Sequence, residues 1–449
     1  MKASFRLLPL LPSALLLLTV QLSARAEPDL TTAAFGDSTL DALVATAFEN
    51  NVDLQAAAAR VDQALAAAGA TRADFWPQLS LNGSARRHSN LENGYLASDY
   101  ASLPGTATWE LDLWGRIRKG TQAARADAGT SAALHDAARV SLAAEVTQTY
   151  YTLRALQLES AIVTRSVTTR RDARRIVADR VEIGSSNPLD LARADTELAL
   201  AEADAAAVAH RTANLEHALA VLLGEQPGPT TGTHVSTTAL PSPPRVPSDL
   251  PAELLQRRPD IAAAEQSLAA SSARIGVAKT AFFPTIRLTG SAGWESADFN
   301  NFFSGDNRVW SFGPSLYLPL FQGGRNRANL NRAEAAFAEQ SARYRGAVLR
   351  AFQDVSDALA ANRFLAEQTA ATERAATAAR RAANLSHVRY DAGVVSYLEV
   401  VDAERSALDA ERATVRLQGQ RLVAAASLIR ALGGGWQRVA ESSVPEPAL

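Results

Sequence analysis

Ala73-Asp74-Phe75-Trp76-Pro77 leads into Gln78-Leu79-Ser80-Leu81-Asn82-Gly83-Ser84-Ala85-Arg86, a stretch that alternates apolar and polar residues. The same device returns about 208 residues later, where Thr280-Ala281-Phe282-Phe283-Pro284 precedes Ile286, Leu288, Gly290, Ala292 and Trp294 on one face and Arg287, Thr289, Ser291 and Glu295 on the other. Each copy has a second alternating segment. In the first, Ala107, Trp109, Leu111 and Leu113 oppose Thr106, Thr108, Glu110 and Asp112; in the second, Trp310, Phe312, Pro314, Leu316, Leu318 and Leu320 oppose Ser311, Gly313, Ser315 and Tyr317. Segments of about ten residues with period-2 alternation are the sequence mark of membrane β-strands. The chain therefore reads as two tandem copies of one unit, each with a hairpin of membrane type (77–114 and 284–321). A soluble half-buried sheet carries the same alternation, so each segment taken singly leaves both readings open.

Working outward, Leu111-Asp112-Leu113-Trp114-Gly115 matches Leu318-Pro319-Leu320-Phe321-Gln322, with Arg-x-Arg following in both copies. Gly184 to Leu191 likewise matches Gly393 to Val400. Trp76, Trp114, Phe283 and Phe321 stand at the helix-side ends of the hairpins, where an interfacial aromatic girdle would lie. Between the hairpins and the repeat boundaries the sequence is helical. Residues 115–183 and 325–392 lack proline, and about 68 residues at 1.5 Å rise make a rod of about 100 Å. Heptad stripes such as Val401, Leu408, Val415, Leu422 and Ile429 provide packing seams along their partners.

Return helices are expected at 189–223 and 397–432, and helices leading into the hairpins at 40–75 and from about 253 to 283. Stacked end to end, a return helix and a leading helix match one long rod at 1.5 Å per residue. The expected pairing joins 189–223 to the helix from 253, and 397–432 to the helix from 40. A first repeat (27–223), a Pro/Gly-rich linker (224–252), a second repeat (253–432) and a tail (433–449) complete the layout.

The chain has 449 residues, no Cys, a single Met, six His and a net charge of −2. Disulfides, thiolate metal sites and lipidation through Cys are excluded, and a nucleic-acid binder is not expected. Lys2 and Arg6, the apolar run Leu7 to Val20 and Ala24-Arg25-Ala26 read as a signal peptide over 1–26. No later run reaches the ~18 apolar residues of a membrane helix, so membrane entry must be by a β-barrel. Four strands cannot close one, since eight is the usual minimum, and an oligomer is required to hide the sheet edges. Three copies give twelve strands and room for an aqueous channel.

No phosphate loop, metal-ligand spacing or nucleophile elbow is present, so neither an enzyme nor a cofactor is expected. The candidate functional residues flank the two inter-helix turns. Gly184 and Gly393 are the glycines a helix end needs at a left-handed position. Six residues after each comes an acid, Asp190 and Glu399; Asp402 follows one turn later, and Tyr390 stands three before Gly393. Helix-start acids favoured by the macrodipole explain Asp190 and Glu399 equally well. Ser185, Val394 and Val395 make the turns small or apolar, where polar residues are usual.

Leu250-Pro251-Ala252-Glu253-Leu254-Leu255-Gln256-Arg257-Arg258-Pro259-Asp260-Ile261, Ile275 to Ala278, Phe282-Phe283-Pro284, Trp109 to Arg118, Pro319 to Arg327 and Tyr390 to Arg405 resemble the TolC family of outer-membrane efflux channels, in particular the branch serving resistance-nodulation-division pumps. The resemblance implies an α+β membrane protein: a homotrimer with a 12-stranded outer-membrane β-barrel, in contact with outer-membrane lipid, continued by a 12-helix periplasmic α-barrel. It implies a duct working with a periplasmic adaptor and an inner-membrane resistance-nodulation-division transporter. It also implies an entrance gate in which Tyr390 bonds Asp190 while Glu399 and Asp402 line the closed aperture, with Gly184, Ser185, Gly393, Val394 and Val395 at the adaptor-facing turns. Many members of this branch carry a lipidated N-terminal Cys, which this chain lacks; and Val395 stands where the best-known member has an Arg. A polypeptide-secretion duct and a structural periplasmic coiled-coil protein remain alternatives.

Overall fold

The computed structural model describes residues 32–89, 97–228, 239–244, 258–297 and 301–434. The expected signal peptide and most of the linker and tail lie outside them.

Two short helices, α1 (Ser38–Asn50) and α2 (Val52–Ala73), open the first repeat. Strands β1 (Gln78–Leu81), β2 (Ser84–Ser89) and β3 (Ala97–Leu111) form its hairpin, and α3 (Arg116–Glu182) and α4 (Pro188–Leu222) complete it. The second repeat follows as α5 (Pro259–Thr280), β4 (Thr285–Ser296), β5 (Arg308–Tyr317), α6 (Arg325–Asp391) and α7 (Tyr397–Ala431). The repeat is visible in the lengths. Helices α3 and α6 both have 67 residues, α4 and α7 both 35, and α2 and α5 both 22.

The strands make one antiparallel sheet in which β1 and β2 both pair β3, β3 pairs β4, and β4 pairs β5. β1 and β2 keep a single register against β3, Leu81 opposite Gly105 and Ser84 opposite Ser102. The gap between them faces Pro104, which accepts from the Asn82 N–H at 3.1 Å but has no N–H to return. Alternation sets the faces. Ser80, Thr106, Ser291 and Ser311 fall in one row across the sheet, with hydroxyl pairs Ser80–Thr106 at 2.7 Å and Ser291–Ser311 at 2.8 Å. Leu79, Ala107, Gly290 and Phe312 fall in the next row, on the other face. Leu113, Leu318 and Leu320, expected in strands, lie beyond the ends of β3 and β5. β1, β2 and β5 are edges, and none of the described helices is apolar enough to cross a membrane.

Below the sheet the helices form a single layer. α3 packs against α2 and α5 near the sheet and against α4 and α7 farther away; α6 packs against α5 and then α7. The columns are therefore α2 over α4, α3 alone, α5 over α7, and α6 alone. This corrects the expected pairing. Two contacts fix it: Asn51 Nδ2 at the head of α2 donates to Leu222 O at the foot of α4 (3.0 Å), and Arg258 Nη1 at the head of α5 donates to Ala431 O in α7 (2.9 Å). The single helix expected over 40–75 is also broken. Asn51 is extended and its Oδ1 accepts from the Leu54 N–H, capping α2 and ending α1. Helix α1 lies over this junction, where Leu40, Val44 and Ala47 join Val146, Tyr150, Leu153, Leu422 and Ala425 in the largest apolar cluster.

Candidate functional site: the inter-helix turns and the sheet–helix junction

Both inter-helix turns are built alike. Gly184 and Gly393 have φ of 75° and 70°, the left-handed region that a Cβ disfavours. In each, the glycine N–H and the next N–H fold back onto the helix, Ser185 to Arg180 O at 2.8 Å and Val394 to Arg389 O at 2.9 Å. The next helix starts at once, and Asn187 Oδ1 caps α4 through the Leu189 N–H. Val394 is 66% exposed, a bare apolar side chain at the tip of the rods.

The predicted gate residues lie together just behind these turns, with partners that the spacing did not disclose. Tyr390 packs its ring on Tyr397 (5.7 Å between centroids) and under the Arg180 guanidinium (5.1 Å). Burial, reinforced by the charge of Glu404, pushes the Tyr397 hydroxyl up to about 12, so it remains a neutral phenol. The Asp190 carboxylate meets Ser186 Oγ at 3.3 Å and Arg193 at 3.6 Å. Among the described residues of one chain Tyr390 and Asp190 are not hydrogen-bonded to each other. Nor are Glu399 and Asp402 equivalent. Glu399 accepts from Arg389 Nη1 at 2.9 Å, whereas Asp402 is exposed and has no ionic partner among the described residues.

Two buried carboxylates above the turns escaped sequence reading. Glu197 in α4 is held by Arg170 from α3 and Arg405 from α7. Glu159 in α3, 1% exposed, is held by Arg416 Nε at 2.9 Å, Arg412 Nε at 3.1 Å and Arg211 at 3.4 Å. Burial alone would raise the Glu159 carboxyl, but the hydrogen bonds and charges of Arg416 and Arg412 outweigh it and hold it below its ordinary value. Each acid interrupts an apolar face, Glu197 between Ala194 and Ala201 and Glu159 between Leu156 and Val163. A charge placed on a packing stripe was the available signal.

At the opposite end of the rods Trp114 stacks on Phe283 (4.9 Å) and donates its indole N–H to Pro284 O at 2.7 Å. Their counterparts at the sheet edges, Trp76 and Phe321, are 70% and 91% exposed. A five-stranded sheet with unpaired edges, exposed aromatics at one end and two matched 67-residue helices form a wall segment rather than a closed pocket.

The sequence pattern of the family described as outer membrane efflux protein matches residues 43–225 and 250–434. The chain belongs to this family. It is 36% identical over 414 residues to outer membrane protein OprJ of Pseudomonas aeruginosa, covering 89% of this chain and 85% of that one. It is 33% identical over 404 residues to the cation efflux system protein CusC of Escherichia coli, covering 90% and 88%. The solved structure of the outer-membrane channel OprN superposes with a TM-score of 0.84 at 32% identity, covering 92% of this chain and 95% of that one. The chain thus has the fold of an outer-membrane efflux channel, seated in the outer membrane and extending into the periplasm.

Proposed function

We propose that three copies close into a passive exit duct that receives small molecules, drugs and other toxic compounds, from an inner-membrane resistance-nodulation-division transporter through a periplasmic adaptor. The sheet carries the argument. Its edges β1 and β5 are unpaired, its polar face carries rows of hydroxyls and its other face is apolar, an arrangement satisfied by closing a barrel around water within lipid. Energy comes from the pump; the duct supplies a path and a gate. Asp402 and Glu399 line the closed entrance. The Tyr390 hydroxyl and Asp190 bridge neighbouring helices as the latch that holds the entrance shut. The turns around Gly184, Ser185, Gly393, Val394 and Val395 receive the adaptor.

Deleting the gene and restoring it on a plasmid tests the reading, with drug susceptibility and the profile of secreted proteins both recorded. Sensitisation to several small toxic compounds with unchanged secretion is the expected result. Loss of a secreted polypeptide with unchanged susceptibility would favour a secretion duct.

A further inference from the structure

The junction of barrel and helices carries a charge pattern that the duct reading leaves unused. Glu110 and Arg287 stand opposite each other on the polar face of the sheet, the face that a closed barrel turns to its lumen. Arg287 Nη2 approaches Glu110 Oε2 at 3.4 Å, and Arg116, in the first turn of α3, gives its Nε to Glu110 Oε1 at 2.6 Å. One carboxylate thus serves two guanidinium groups. The acid is the covered member: the Glu110 side chain is 13% exposed, against 59% for Arg287 and 43% for Arg116. In the single chain it is the cations, not the acid, that stand open to solvent.

The second repeat exaggerates the imbalance. Arg325 opens α6 as Arg116 opens α3, each after a left-handed glycine, Gly324 (φ 86°) and Gly115 (φ 80°). Arg116 has Glu110 beside it and Asp74 within Coulombic reach. Tyr317 and Ala281 stand at the corresponding places of the second repeat, so Arg325 is exposed and has no acidic partner among the described residues. Asp112, the other nearby acid, is committed to the N–H groups of Ile117 and Arg118 and to the Arg118 side chain. The next rows up the barrel hold hydroxyls and amides without charge, Gln78, Thr108 and Thr289, then Ser80, Thr106, Ser291 and Ser311. Among the described residues these rows hold no acid; the next acid on this face is Glu295, farther along the strand and bonded by the Tyr100 hydroxyl.

We propose that Arg116, Arg287 and Arg325 form a basic lumenal collar where tunnel meets barrel, and that this collar binds multivalent anions. The inference rests on the duct reading, because it needs the trimer to bring three copies of the cluster around one axis. Guanidinium groups in a fixed array recognise phosphate-like oxygens bidentately, and rings of Arg or Lys define anion sites in pores. The collar opposes in sign the Asp402 ring expected at the far end. A pore with fixed charges of opposite sign at its two ends passes current unequally in the two directions, since one polarity draws mobile ions in from both mouths and the other depletes them.

The test uses the full-length trimer in planar bilayers, with inorganic pyrophosphate added to the barrel side. Pyrophosphate should block the current, and raising the salt should relieve the block by screening. Removing two of the three charges, Arg287→Gln with Arg325→Gln, should weaken the block roughly ten-fold and reduce rectification. Wild-type current that ignores pyrophosphate, or equal block in the double variant, would overturn the collar and leave the duct intact. An inserted trimer that passes no ions would overturn both.

Discussion

Asn51 Nδ2 donates to Leu222 O at 3.0 Å across a sequence separation of 171 residues, tying the first turn of α2 to the last turn of α4. The second repeat makes the same splice with Arg258 and Ala431, using a guanidinium that also reaches Asp260 and Asp354. Each broken column is therefore held together by a side chain at the head of the upper helix. Asn51→Ala should remove both the cap of α2, about 1 kcal/mol, and the partner of the part-buried Leu222 carbonyl, about 1 kcal/mol. A thermal melt of the detergent-solubilised trimer should show a clear drop. Asn51→Ser should recover only the capping part.

These splices mark the limit of what the sequence disclosed. The hairpins were legible because alternation survives in each strand, and the long rods because proline is absent from residues 115–183 and 325–392. Which short helix stands on which was not legible. Because α4 and α7 both have 35 residues and α2 and α5 both have 22, either pairing gives a column of the same length. The linker between the repeats is long enough to cross to a neighbouring column. Partner choice at the gate was hidden for another reason. Arg389 and Glu399 stand on different helices and meet only through the turn between them.

Glu159 makes stability depend on pH in a defined direction. Its carboxyl is held below the usual 4.5, so the ionic network is fully formed above that value and is lost as pH falls through the lowered one. The wild-type melting temperature should therefore fall on the acid side. Glu159→Gln should lie lower at neutral pH, by up to about 3 kcal/mol, because arginines are left around a neutral partner. It should also show a flatter acid limb. Parallel pH profiles for the two proteins would count against a stabilising role for the ionised network.

At the gate, the Arg389–Glu399 pair leaves Asp402 as the uncompensated charge. Reversal potentials across a potassium chloride gradient should reflect this. Asp402→Asn should lower cation selectivity more than Glu399→Gln, and Arg389→Ala should raise it by releasing the Glu399 charge. Like charges gathered round one axis repel by about 1 kcal/mol per pair at 4 Å in water, so divalent cations should block the wild type and block Asp402→Asn less. Unchanged selectivity in Asp402→Asn would place the constriction elsewhere.

Val394 sits exposed beyond the end of α6, where its neighbours supply no apolar cover. A carboxylate there costs the folded chain little but should repel an apolar contact in a helical partner. Val394→Asp should leave trimers at wild-type abundance in outer-membrane fractions while drug resistance falls to the level of the deletion strain. Normal resistance with this variant would remove the second turn from the adaptor interface.

The junction aromatics predict how the copies meet. Trp114 follows β3, Phe283 precedes β4, and the two rings stack because β3 and β4 pair. Phe321 follows β5 and Trp76 precedes β1, yet these strands are the open edges of the sheet and both rings are bare. Pairing β5 of one protomer with β1 of the next would bury them by the same stacking. It would also carry the register across. Trp109 faces Leu288 within the chain, and the corresponding pair, both inside strands, is Leu316 with Leu81 of the adjoining copy. Directly opposed residues on antiparallel strands lie about 4.5–5.5 Å apart at Cα, within reach of a disulfide. Because the chain has no cysteine, Leu81→Cys combined with Leu316→Cys introduces only these two thiols. Mild oxidation of membranes should produce a ladder ending at a covalent trimer, reversed by reductant and absent from either single variant. A ladder stopping at dimers, or no cross-link despite normal membrane insertion, would rule out this closure.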